Sequence, residues 1–581
     1  MSKFLRVNMT NLTVKFEDVP EKYKLMGGRG LSSAITCDEV PPACHPLGPN
    51  NKVTFAPGMV TGTTAPSSGR ISIGGKSPLT GGIKETNSGG MASQKLARLG
   101  VKAIIVEGQP KEKGKFWILK VDKNGAQLLP AANEWLGKGL YETYPLLFKK
   151  FGEKVGIIGI GLVGEKLMAN AGICINDPEN RPSRYAGRGG MGAVMGSKGL
   201  KAIIIDDTGG PGVPIVNKEA FDVGRKKLTD ALLEHAVTKP GGALNTNGTA
   251  GTIIPVNEAG GYPTRNFSDG RFEGADKISG PTIYEVVKKR GGAGMTGHNC
   301  TPGCIIKCSN VWPKPDGTEH VSVQEYESIF AFGGHCGIDD LDIIGEEIRL
   351  CNDWGLDTIE AGVTIGVAME AGLAKFGDGK KALELMHEIG KLTPLGYILG
   401  SGAATTAKVF GVVRCPTVKG QGIPAYEPRA IKGIGVTYAT TPMGADHTAG
   451  FTVAAELFGI PVKVDPLALD KIDLSRNFQF ATAFIDSSGY CLFITFATTD
   501  ILSGLEGVME TCNGVLGTKW TVDDVGRIGG DILKMEWAFN DAAGFTKVHD
   551  RLPEFMTYEK LPPHNVVNDI PDKEMDKVRA P

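Results

Sequence analysis

The chain has 581 residues, of which 63 are basic and 64 acidic, so its formal net charge is −1. This balance disfavours a nucleic-acid binder, because affinity for a phosphate backbone requires clustered positive charge. At about 150 residues per domain, the length predicts three or four domains or one large composite. Glycine is frequent, with 81 residues, about twice the usual share. A packed protein whose backbone closely approaches something bulky is an alternative to disorder.

The N-terminal third has the pattern of a β-rich domain. Residues 1–16 alternate like a strand, and their basic residues leave no apolar stretch typical of a secretory signal. No segment has the pattern of a membrane span, so we expect a soluble, cytoplasmic protein. Further strands are predicted from apolar runs at residues 102–106, 116–121, 155–160 and 201–205.

Two segments of this domain combine arginine with glycine-rich loops. One contains Arg70 and Asn87–Gly90, and the other contains Arg184 and Arg188 within residues 181–198, which we predict to form a loop. Guanidinium groups make paired hydrogen bonds to phosphate, and glycine lets the backbone approach the anion. Tight turns with exposed arginines are the alternative interpretation.

Gly159, Gly161 and Gly164 have the spacing of a dinucleotide-binding fingerprint. The βαβ context that this motif requires is missing, because another glycine-rich segment follows soon after. We therefore interpret the match as a chance one in a glycine-rich chain.

From about residue 217 the hydrophobic period becomes that of helices. Residues 206–214 form a candidate linker, and a second cluster of proline and glycine at 415–428 marks another break. We expect an α+β protein with a β-sheet base at residues 1–208 and two mainly helical domains at 209–415 and 416–581. Amphipathic helices are predicted at residues 218–237, 340–354, 359–374, 380–391 and 521–540.

Three of the 11 cysteines, Cys300, Cys304 and Cys308, are spaced C-x3-C-x3-C. Thiolates this close repel one another unless a cation binds them. Three cysteines are one short of a cubane iron–sulfur site, and no second CxxC completes a zinc site. The spacing favours iron–sulfur over zinc, with unligated cysteines as a third alternative.

Two short segments share a polar-x-x-Gly-apolar-polar pattern just after predicted helices. A helix that ends in glycine gives this pattern by itself. The functional alternative is a duplicated turn that binds two similar halves of one cofactor, with the last residue of the second copy as the missing thiolate. The segments hold Asn352, Gly355, Leu356 and Asp357, and Asp486, Gly489, Tyr490 and Cys491.

Two further residues are candidate catalytic groups. His447 lies in a loop of glycine and alanine that offers little apolar surface for packing. Glu327 is equally compatible with a solvated carboxylate, because nothing local separates it from Glu325. Glu384 and His387, three residues apart on one helix face, could hold a metal, but the charged neighbours favour a solvated face.

Together these residues resemble the tungsten-containing aldehyde ferredoxin oxidoreductase family, and the resemblance covers nearly the whole chain. Besides the two turns, the matching segments are Gly27–Gly30, Lys76–Gly82 with Asn87–Gly90, Ala186–Lys198, Cys336–Asp340 and Gly444–His447.

The resemblance implies two helical domains that close over a buried cofactor. The cofactor would be a tungsten or molybdenum ion held by two pterins, beside a [4Fe–4S] cluster, with Mg²⁺ bridging the pterin phosphates. Asn352 and Asp357 would hold one pterin and Asp486 the other, and Glu327 and His447 match the pair beside the metal. The phosphate ligands would be Arg70, Asn87, Gly89, Arg184 and the Tyr185 carbonyl, and the cluster ligands Cys300, Cys304, Cys308 and Cys491.

The chain departs from the family pattern at three positions. The first cysteine interval is x3 rather than x2, and Tyr490 replaces a leucine. Asn352 replaces an aspartate, and an amide cannot make the same charge-assisted bond to a pterin amine. Glu384 and His387 match a motif that some relatives use to hold iron at a dimer interface, so a homodimer is a further expectation.

The implied function is oxidation of small aldehydes to carboxylic acids with water as the oxygen source. Electrons would leave through the cluster to ferredoxin, a ferredoxin-like subunit or a flavin subunit. Glu327 would accept a proton from water, and His447 would hydrogen-bond the developing oxyanion. One alternative is a reductive subunit of the aromatic acyl-CoA reductase type, which would need room for coenzyme A and a dedicated partner. Cys336 could then be a metal ligand, although a core position is favoured. The other alternative is a zinc-stabilised scaffold protein. In the favoured interpretation, the glycines line the cofactor cavity.

Overall fold

The computed structural model describes residues 2–579 and shows an α+β architecture with two N-terminal sheets. In the first sheet the strand order is 2-1-6-3-4-5, and all neighbours are antiparallel except the first and sixth strands. Its strands are β1 (Lys3–Asn8), β2 (Thr13–Asp18), β3 (Val53–Pro57), β4 (Ile71–Lys76), β5 (Ile83–Ser88) and β6 (Val101–Glu107).

The second sheet repeats the topology of the first. Its strand order is 11-10-9-12-7-8, or 8-7-12-9-10-11 when read from the other edge. Each strand therefore takes the place of the first-sheet strand whose number is six lower. The single parallel pair again joins the first and last strands of the set. This correspondence indicates an internal duplication that the sequence analysis did not reveal. The strands are β7 (Trp117–Asp122), β8 (Gly125–Pro130), β9 (Gly156–Gly159), β10 (Ile173–Asn176), β11 (Pro182–Ala186) and β12 (Leu200–Ile205).

The two sheets share one hydrophobic core. Buried residues of the first sheet, among them Leu5 and Phe55, belong to the same cluster as Leu119, Ile158 and Ile203 of the second. This packing makes the two sheets a single base and confirms the predicted β-rich N-terminal region. Five helices accompany the sheets: α1 (Gly28–Glu39), α2 (Ala92–Arg98), α3 (Leu140–Phe151), α4 (Leu162–Glu165) and α5 (Met191–Ser197).

The prediction of a loop at residues 181–198 is wrong for most of this segment, because the segment contains β11 and α5. Glycine is a poor helix former, yet two glycines of α5 are in close contact with other backbone. A Cβ on Gly192 would lie 2.3 Å from the Gly172 carbonyl oxygen, and one on Gly196 2.0 Å from that of Gly164. Tertiary packing therefore overrides the local propensity.

The rest of the chain is mainly helical, and all five predicted helices are confirmed, as α6, α11, α12, α13 and α21. The amphipathic pattern predicted for α12 is wrong, because every residue from Ile359 to Met369 is buried. Within residues 2–579, no helix combines the length and apolar composition needed to cross a membrane. Short strands are β13 (Met295–His298), β14 (Ser309–Pro313), β15 (Glu319–Val321), β16 (Thr417–Val418) and β17 (Gln421–Gly422). The helices are α6 (Lys218–Glu234), α7 (Ala243–Asn247), α8 (Ile253–Glu258), α9 (Gly280–Arg290), α10 (Tyr326–Phe332), α11 (Leu341–Trp354), α12 (Thr358–Glu370), α13 (Gly379–Gly390), α14 (Pro394–Leu399), α15 (Ala403–Phe410), α16 (Lys432–Thr440), α17 (Val453–Glu456), α18 (Ile472–Ser488), α19 (Thr495–Asp500), α20 (Leu502–Leu516), α21 (Asp524–Ala542), α22 (Phe555–Tyr558) and α23 (Asp572–Met575).

A buried ion pair joins the base to the C-terminal helices. Arg29 of α1 lies 2.7 Å from Glu536 of α21, and both side chains are almost completely buried. The Ser33 hydroxyl also donates to Glu536, at 2.7 Å. This network holds α1, near the N-terminus, against α21, near the C-terminus.

Replacing Arg29 with methionine is expected to destabilise the protein by about 3–5 kcal/mol, because it leaves the Glu536 carboxylate buried without its cation. Thermal unfolding of the purified protein measures this effect as a lowered midpoint. Lys218→Met is the matched control, since Lys218 pairs with Asp222 on an exposed helix face and such pairs contribute under about 1 kcal/mol. Equal midpoints for the two variants would contradict the role assigned to the buried pair.

Candidate active site

A cavity of about 380 Å³ lies where the base meets the helical region. Residues at the ends of β5 and β11 line one side of it, and residues of α10, α11, α12 and the loops near 447 and 492 line the other. β5 and β11 hold equivalent places in the two sheets, so the duplication brings two similar strand ends to one cavity. The predicted site residues that line it are Arg70, Gly89, Arg184, Tyr185, Arg188, Cys300, Cys308, Glu327, Asn352, Leu356, Asp357 and His447.

The first predicted turn follows the end of α11. Gly355 has a φ of 84°, in the left-handed region that glycine adopts without strain, and it reverses the chain direction. Asp357 then caps α12, because its Oδ1 accepts a hydrogen bond from the Ile359 N–H at 3.0 Å. The Asn352 amide donates to the Ser322 carbonyl at 2.9 Å. The turn thereby places Asn352, Leu356 and Asp357 on the cavity wall.

The second turn has the same backbone form after α18, with Gly489 at a φ of 92°. Its side chains differ from those of the first turn, and Asp486, Gly489 and Tyr490 do not line the cavity. Asp486 lies 3.4 Å from Arg29, and burial raises its pKa to about 8. The Tyr490 hydroxyl shares a hydrogen bond with Thr511 at 2.7 Å, and its ring belongs to the core beside α20.

The prediction that the glycine surplus lines the cavity is wrong for most of these residues. Of the glycines that the structure describes, Gly89 and Gly187 line it. Others allow two backbone segments to touch: a Cβ on Gly58 would lie 2.0 Å from the Gly489 Cα, and one on Gly161 2.2 Å from the Trp354 carbonyl. The Gly-x-Gly spacing around Gly161 thus lets β9 pack against the first turn, which agrees with the chance interpretation of the dinucleotide motif.

Four cysteines lie near the half-buried Arg70 and near Ser67. Arg70 Nη2 donates to Cys491 Sγ at 3.2 Å, and the Cys491 N–H donates to the Ser67 carbonyl at 2.9 Å. Cys300, Cys304 and Cys308 lie on the loop between β13 and β14. Burial and the neighbouring thiols raise the pKa of Cys304 to about 12 and that of Cys308 well above its usual value. Such thiols become thiolates only if a cation binds them.

The spacing of the four sulfur atoms does not match a single zinc ion. A tetrahedral Zn–thiolate site places its sulfurs about 3.8 Å apart. Among residues 2–579, only Asp177, Glu179 and His298 bring three His, Cys, Asp or Glu ligand atoms within 4.8 Å of one another. Arg181 contacts both carboxylates of that trio, at 3.3 and 3.1 Å. Within residues 2–579, no three of the cysteine sulfurs therefore lie as close together as they would around one zinc ion.

The arginines on the cavity wall differ in their partners. Arg188 is satisfied within the protein, 3.2 Å from Asp357 and donating to the Ala445 and Gly422 carbonyls. Arg184 donates to two serine hydroxyls, but its buried Nε has no partner within the protein. An unpaired guanidinium N–H on a cavity wall is a site for an anion. Asn87 lies outside the lining, and its amide donates to Ser72 Oγ at 3.3 Å.

Glu327 and His447 lie next to each other in the cavity lining, with 3.3 Å between Glu327 Oε1 and His447 Nε2. Glu327 Oε2 accepts a hydrogen bond from the Ala425 N–H at 2.9 Å, whereas Glu327 Oε1 and His447 Nδ1 have no hydrogen-bond partner within the protein. Burial raises the pKa of Glu327 to about 8 and lowers that of His447 to about 4. At neutral pH the carboxyl therefore holds a proton, and the imidazole is neutral.

Glu325, which the sequence could not separate from Glu327, has a different environment. Its carboxylate accepts hydrogen bonds from the Thr249 hydroxyl at 2.5 Å and the Ser309 hydroxyl at 3.3 Å. These bonds engage both of its oxygens with the protein. The unpaired carboxylate oxygen of this segment belongs to Glu327 alone.

The predicted interface pair lies elsewhere, on α13. Glu384 and His387 are both exposed, and Glu384 forms an ion pair with Lys381 at 2.7 Å. The His387 ring lies 5.9 Å from that of Trp354. A role of this pair in binding iron stays a prediction.

Sequence reasoning missed an aromatic wall of the cavity, which consists of Tyr426, Phe451, Phe493 and Phe496. These residues come from three separate segments of the helical region and share no motif. The one available signal is the position of Phe451 four residues after His447, which places both in the same loop.

Models of one family match the chain in two parts. The model described as "Aldehyde ferredoxin oxidoreductase, N-terminal domain" matches residues 4–207. The model described as "Aldehyde ferredoxin oxidoreductase, domains 2 & 3" matches residues 224–580.

Individual proteins are similar over the same extent. The tungsten-containing aldehyde ferredoxin oxidoreductases of Pyrococcus furiosus and Thermococcus kodakarensis are each 36 % identical to this chain, over 96 % of it and 92 % of their own length. The WOR-like subunit of an aliphatic sulfonate oxidoreductase of Pyrococcus furiosus is 25 % identical. Among solved structures, a chain of the active-site complex BamBC of benzoyl coenzyme A reductase superposes with a TM-score of 0.80 at 18 % identity, covering 100 % of this chain and 93 % of its own.

Proposed function

The chain belongs to the aldehyde ferredoxin oxidoreductase family, and from that premise we propose that it oxidises aldehydes to carboxylic acids. The reaction converts an aldehyde and water into a carboxylic acid, two electrons and two protons. The cofactor that we propose is a tungsten or molybdenum ion held by two pterins, with a [4Fe–4S] cluster as the exit for electrons.

One observation supports this proposal above the others. A half-buried carboxyl–imidazole pair, Glu327 and His447, shares one cavity with the first glycine turn, an unpaired arginine N–H and two of the four clustered cysteines. Acid–base groups, anion ligands and thiols around a single space fit a redox reaction that also moves protons.

Most of the predicted cofactor ligands line the cavity and fit the proposed cofactor, whereas Asn87 and Asp486 lie outside the lining. Asn352 and Asp357 would hold the first pterin and Asp486 the second, while Arg70, Arg184, Asn87, Gly89 and the Tyr185 carbonyl would serve the phosphates and their Mg²⁺. The unpaired Arg184 Nε and the equivalent ends of β5 and β11 match a cofactor with two similar halves. When bound, it would supply Lewis acidity at the substrate carbonyl and a sink for two electrons.

Cys300, Cys304, Cys308 and Cys491 would hold the cluster. Cys304 is half-buried, and two residues close to it in the chain, Gly303 and Lys307, are exposed. This edge is the short route from the cluster to the surface, so a ferredoxin-like iron–sulfur carrier would dock there and accept electrons singly.

Glu327 and His447 would carry out the proton transfer and the hydrogen bonding that the reaction needs. Glu327 must release its own proton before it can accept one from the attacking water. His447, neutral above about pH 4 because burial lowers its pKa, would donate its ring N–H to the oxygen on which negative charge develops. The Ala425 N–H, bonded to Glu327 at 2.9 Å, keeps the carboxyl oriented toward the histidine.

The rate of aldehyde oxidation is expected to rise with pH. Burial raises the Glu327 pKa to about 8. The fraction of Glu327 in the carboxylate form therefore increases about tenfold per pH unit below about pH 7 and becomes constant above the pKa. Initial rates with one aldehyde across this range measure the profile. A rate that is flat or falls as pH increases would contradict Glu327 as the base.

Metal and pterin analysis of anaerobically purified protein tests the cofactor. We expect tungsten or molybdenum with two pterins per metal ion, and about four irons per chain. Zinc in place of all three metals would support the scaffold alternative and exclude the enzyme proposed here.

In the acyl-CoA reductase alternative, Cys336 could be a metal ligand. Cys336 is fully buried outside the cavity lining, and its thiol donates to the Ala331 carbonyl at 3.3 Å between α10 and α12. Burial raises its thiol pKa well above the usual value, which disfavours the thiolate that a metal needs. The similarity to the benzoyl coenzyme A reductase complex therefore supports the fold alone.

A further inference from the structure

Lys84 is a lysine of β5 that has no part in the proton chemistry described above. Its side chain is fully buried, and its Nζ lies 3.1 Å from Oδ2 of Asp446, the residue before His447. We propose that Lys84 is a positioning residue for His447 and acts through Asp446. This inference rests on the proposed function and adds a residue to its site.

Asp446 determines the local structure around His447. Residues 447–449 form one turn of 3-10 helix, and the Asp446 side chain caps this turn. Asp446 Oδ1 accepts hydrogen bonds from the Thr448 N–H at 3.3 Å and from the Thr448 hydroxyl at 2.9 Å. Oδ2 accepts the hydrogen bond from Lys84. Both oxygens are therefore engaged, and the orientation of this carboxylate sets the position of the turn that begins with His447.

The loop of residues 443–448 is held by cations from both sheets of the base. Lys84 belongs to β5, and Arg188 lies two residues after the end of β11, the strand in the equivalent place of the second sheet. Arg188 Nη1 donates to the Ala445 carbonyl at 2.7 Å, and Lys84 Nζ lies 3.5 Å from the Met443 carbonyl oxygen. The base thus contacts this loop at backbone and side-chain atoms that directly precede His447.

The surroundings of Lys84 accommodate its side chain and keep Asp446 ionised. A Cβ on Gly189 would lie 2.5 Å from Lys84 Cγ, so this glycine leaves the space that the lysine side chain occupies. Burial raises the pKa of Asp446, but the charges of Lys84 and Arg188 outweigh burial and hold that pKa well below its usual range. Removing the lysine would leave an ionised carboxylate next to His447 without the cation that it contacts.

Steady-state kinetics of the metal-loaded holoenzyme with one aldehyde tests the inference. We expect Lys84→Met to lower kcat by about tenfold to 100-fold, because a displaced reacting group costs about this much. KM should stay within about threefold of wild type, and the metal, pterin and iron contents should not change.

Lys201→Met is the matched control. Lys201 is also buried in the base and pairs with a carboxylate, that of Glu165, but both residues lie outside the cavity lining. Its replacement should lower the midpoint of thermal unfolding about as much as Lys84→Met does, because each change breaks a buried ion pair. Its kcat should stay within about twofold of wild type.

A double-mutant cycle tests Asp446 as the link to His447. Asp446→Asn removes the charge that Lys84 contacts but keeps an oxygen for the Thr448 N–H. It should lower kcat about as much as Lys84→Met does, and the double variant should be within about twofold of the slower single variant, because both changes break one contact.

Four results would overturn the inference and leave the proposed function intact. They are a wild-type kcat for Lys84→Met or for Asp446→Asn, loss of pterin from either variant, an equal fall of kcat in Lys201→Met, and effects that multiply in the double variant. Asp446→Asn decides the matter by itself if Lys84→Met does not fold. No turnover of any aldehyde by metal-loaded wild-type protein would instead overturn the proposed function itself.

Discussion

Replacing Glu327 with glutamine is expected to lower kcat for aldehyde oxidation by about 10²- to 10⁴-fold, the usual contribution of a general base. The amide keeps the shape of the side chain and accepts the Ala425 N–H, which lies 2.9 Å from Glu327 Oε2, but it cannot take a proton. Initial rates under saturating aldehyde measure the loss. Tungsten or molybdenum, pterin and iron contents should equal those of wild type.

Glu325→Gln is the matched control for this prediction. Glu325 also lines the cavity, yet its two oxygens are bonded to Thr249 and Ser309. Its replacement should change kcat by less than about tenfold and preserve the rise of rate with pH. If Glu325→Gln were as damaging as Glu327→Gln with both cofactors in place, Glu327 would have no special role as base.

The second large effect is expected from Cys491→Ser, which should abolish the iron–sulfur cluster. Cys491 lies 183 or more residues after the other three cysteines in the chain. Hydrogen bonds to Arg70 and Ser67 hold it near those cysteines. A cubane cluster needs four thiolates, so iron should fall well below about four per chain. Aldehyde-dependent dye reduction should fall to background, because electrons lose their exit.

Cys415→Ser provides the comparison for the cluster. Cys415 is half-buried near Thr417, 3.6 Å from its hydroxyl, and lies outside the cavity. This variant should retain iron and activity. Full iron content in Cys491→Ser would show that another residue completes the cluster and would refute the assignment of Cys491.

The sequence was informative where local rules decide the structure. Gly355 and Gly489 end helices in the left-handed region, and a polar-x-x-Gly pattern after an amphipathic stretch predicts that geometry directly. The C-x3-C-x3-C spacing likewise predicts a metal-binding thiol cluster without tertiary information, and that role stays a prediction. The predicted helices are confirmed for the same reason, since their period depends only on near neighbours.

Features that depend on distant residues could not be predicted. The duplicated sheets pair strands far apart in the chain, such as β1 with β6 and β7 with β12. The Arg29–Glu536 pair and the aromatic wall arise from segments that meet only in the folded chain. The glycine content led to a wrong prediction about the cavity lining for a related reason. Glycine is required where the backbone closely approaches another protein segment as well as where it approaches a cofactor, and composition does not distinguish the two.

The different surroundings of Glu325 and Glu327 illustrate this limit at the site. Both precede or begin α10, and their neighbours in sequence are alike. The pKa of Glu327 is raised to about 8 because the fold buries it beside His447, while Glu325 meets Thr249 and Ser309. Which carboxyl could be a base is therefore a property of tertiary structure.

The most direct test of the account is the product balance of anaerobic, metal-loaded enzyme incubated with an aldehyde and a one-electron viologen dye. The account predicts two reduced dye molecules for each carboxylic acid formed, with the added oxygen atom derived from water. Formation of no carboxylic acid by enzyme that contains tungsten or molybdenum, pterin and iron would contradict it.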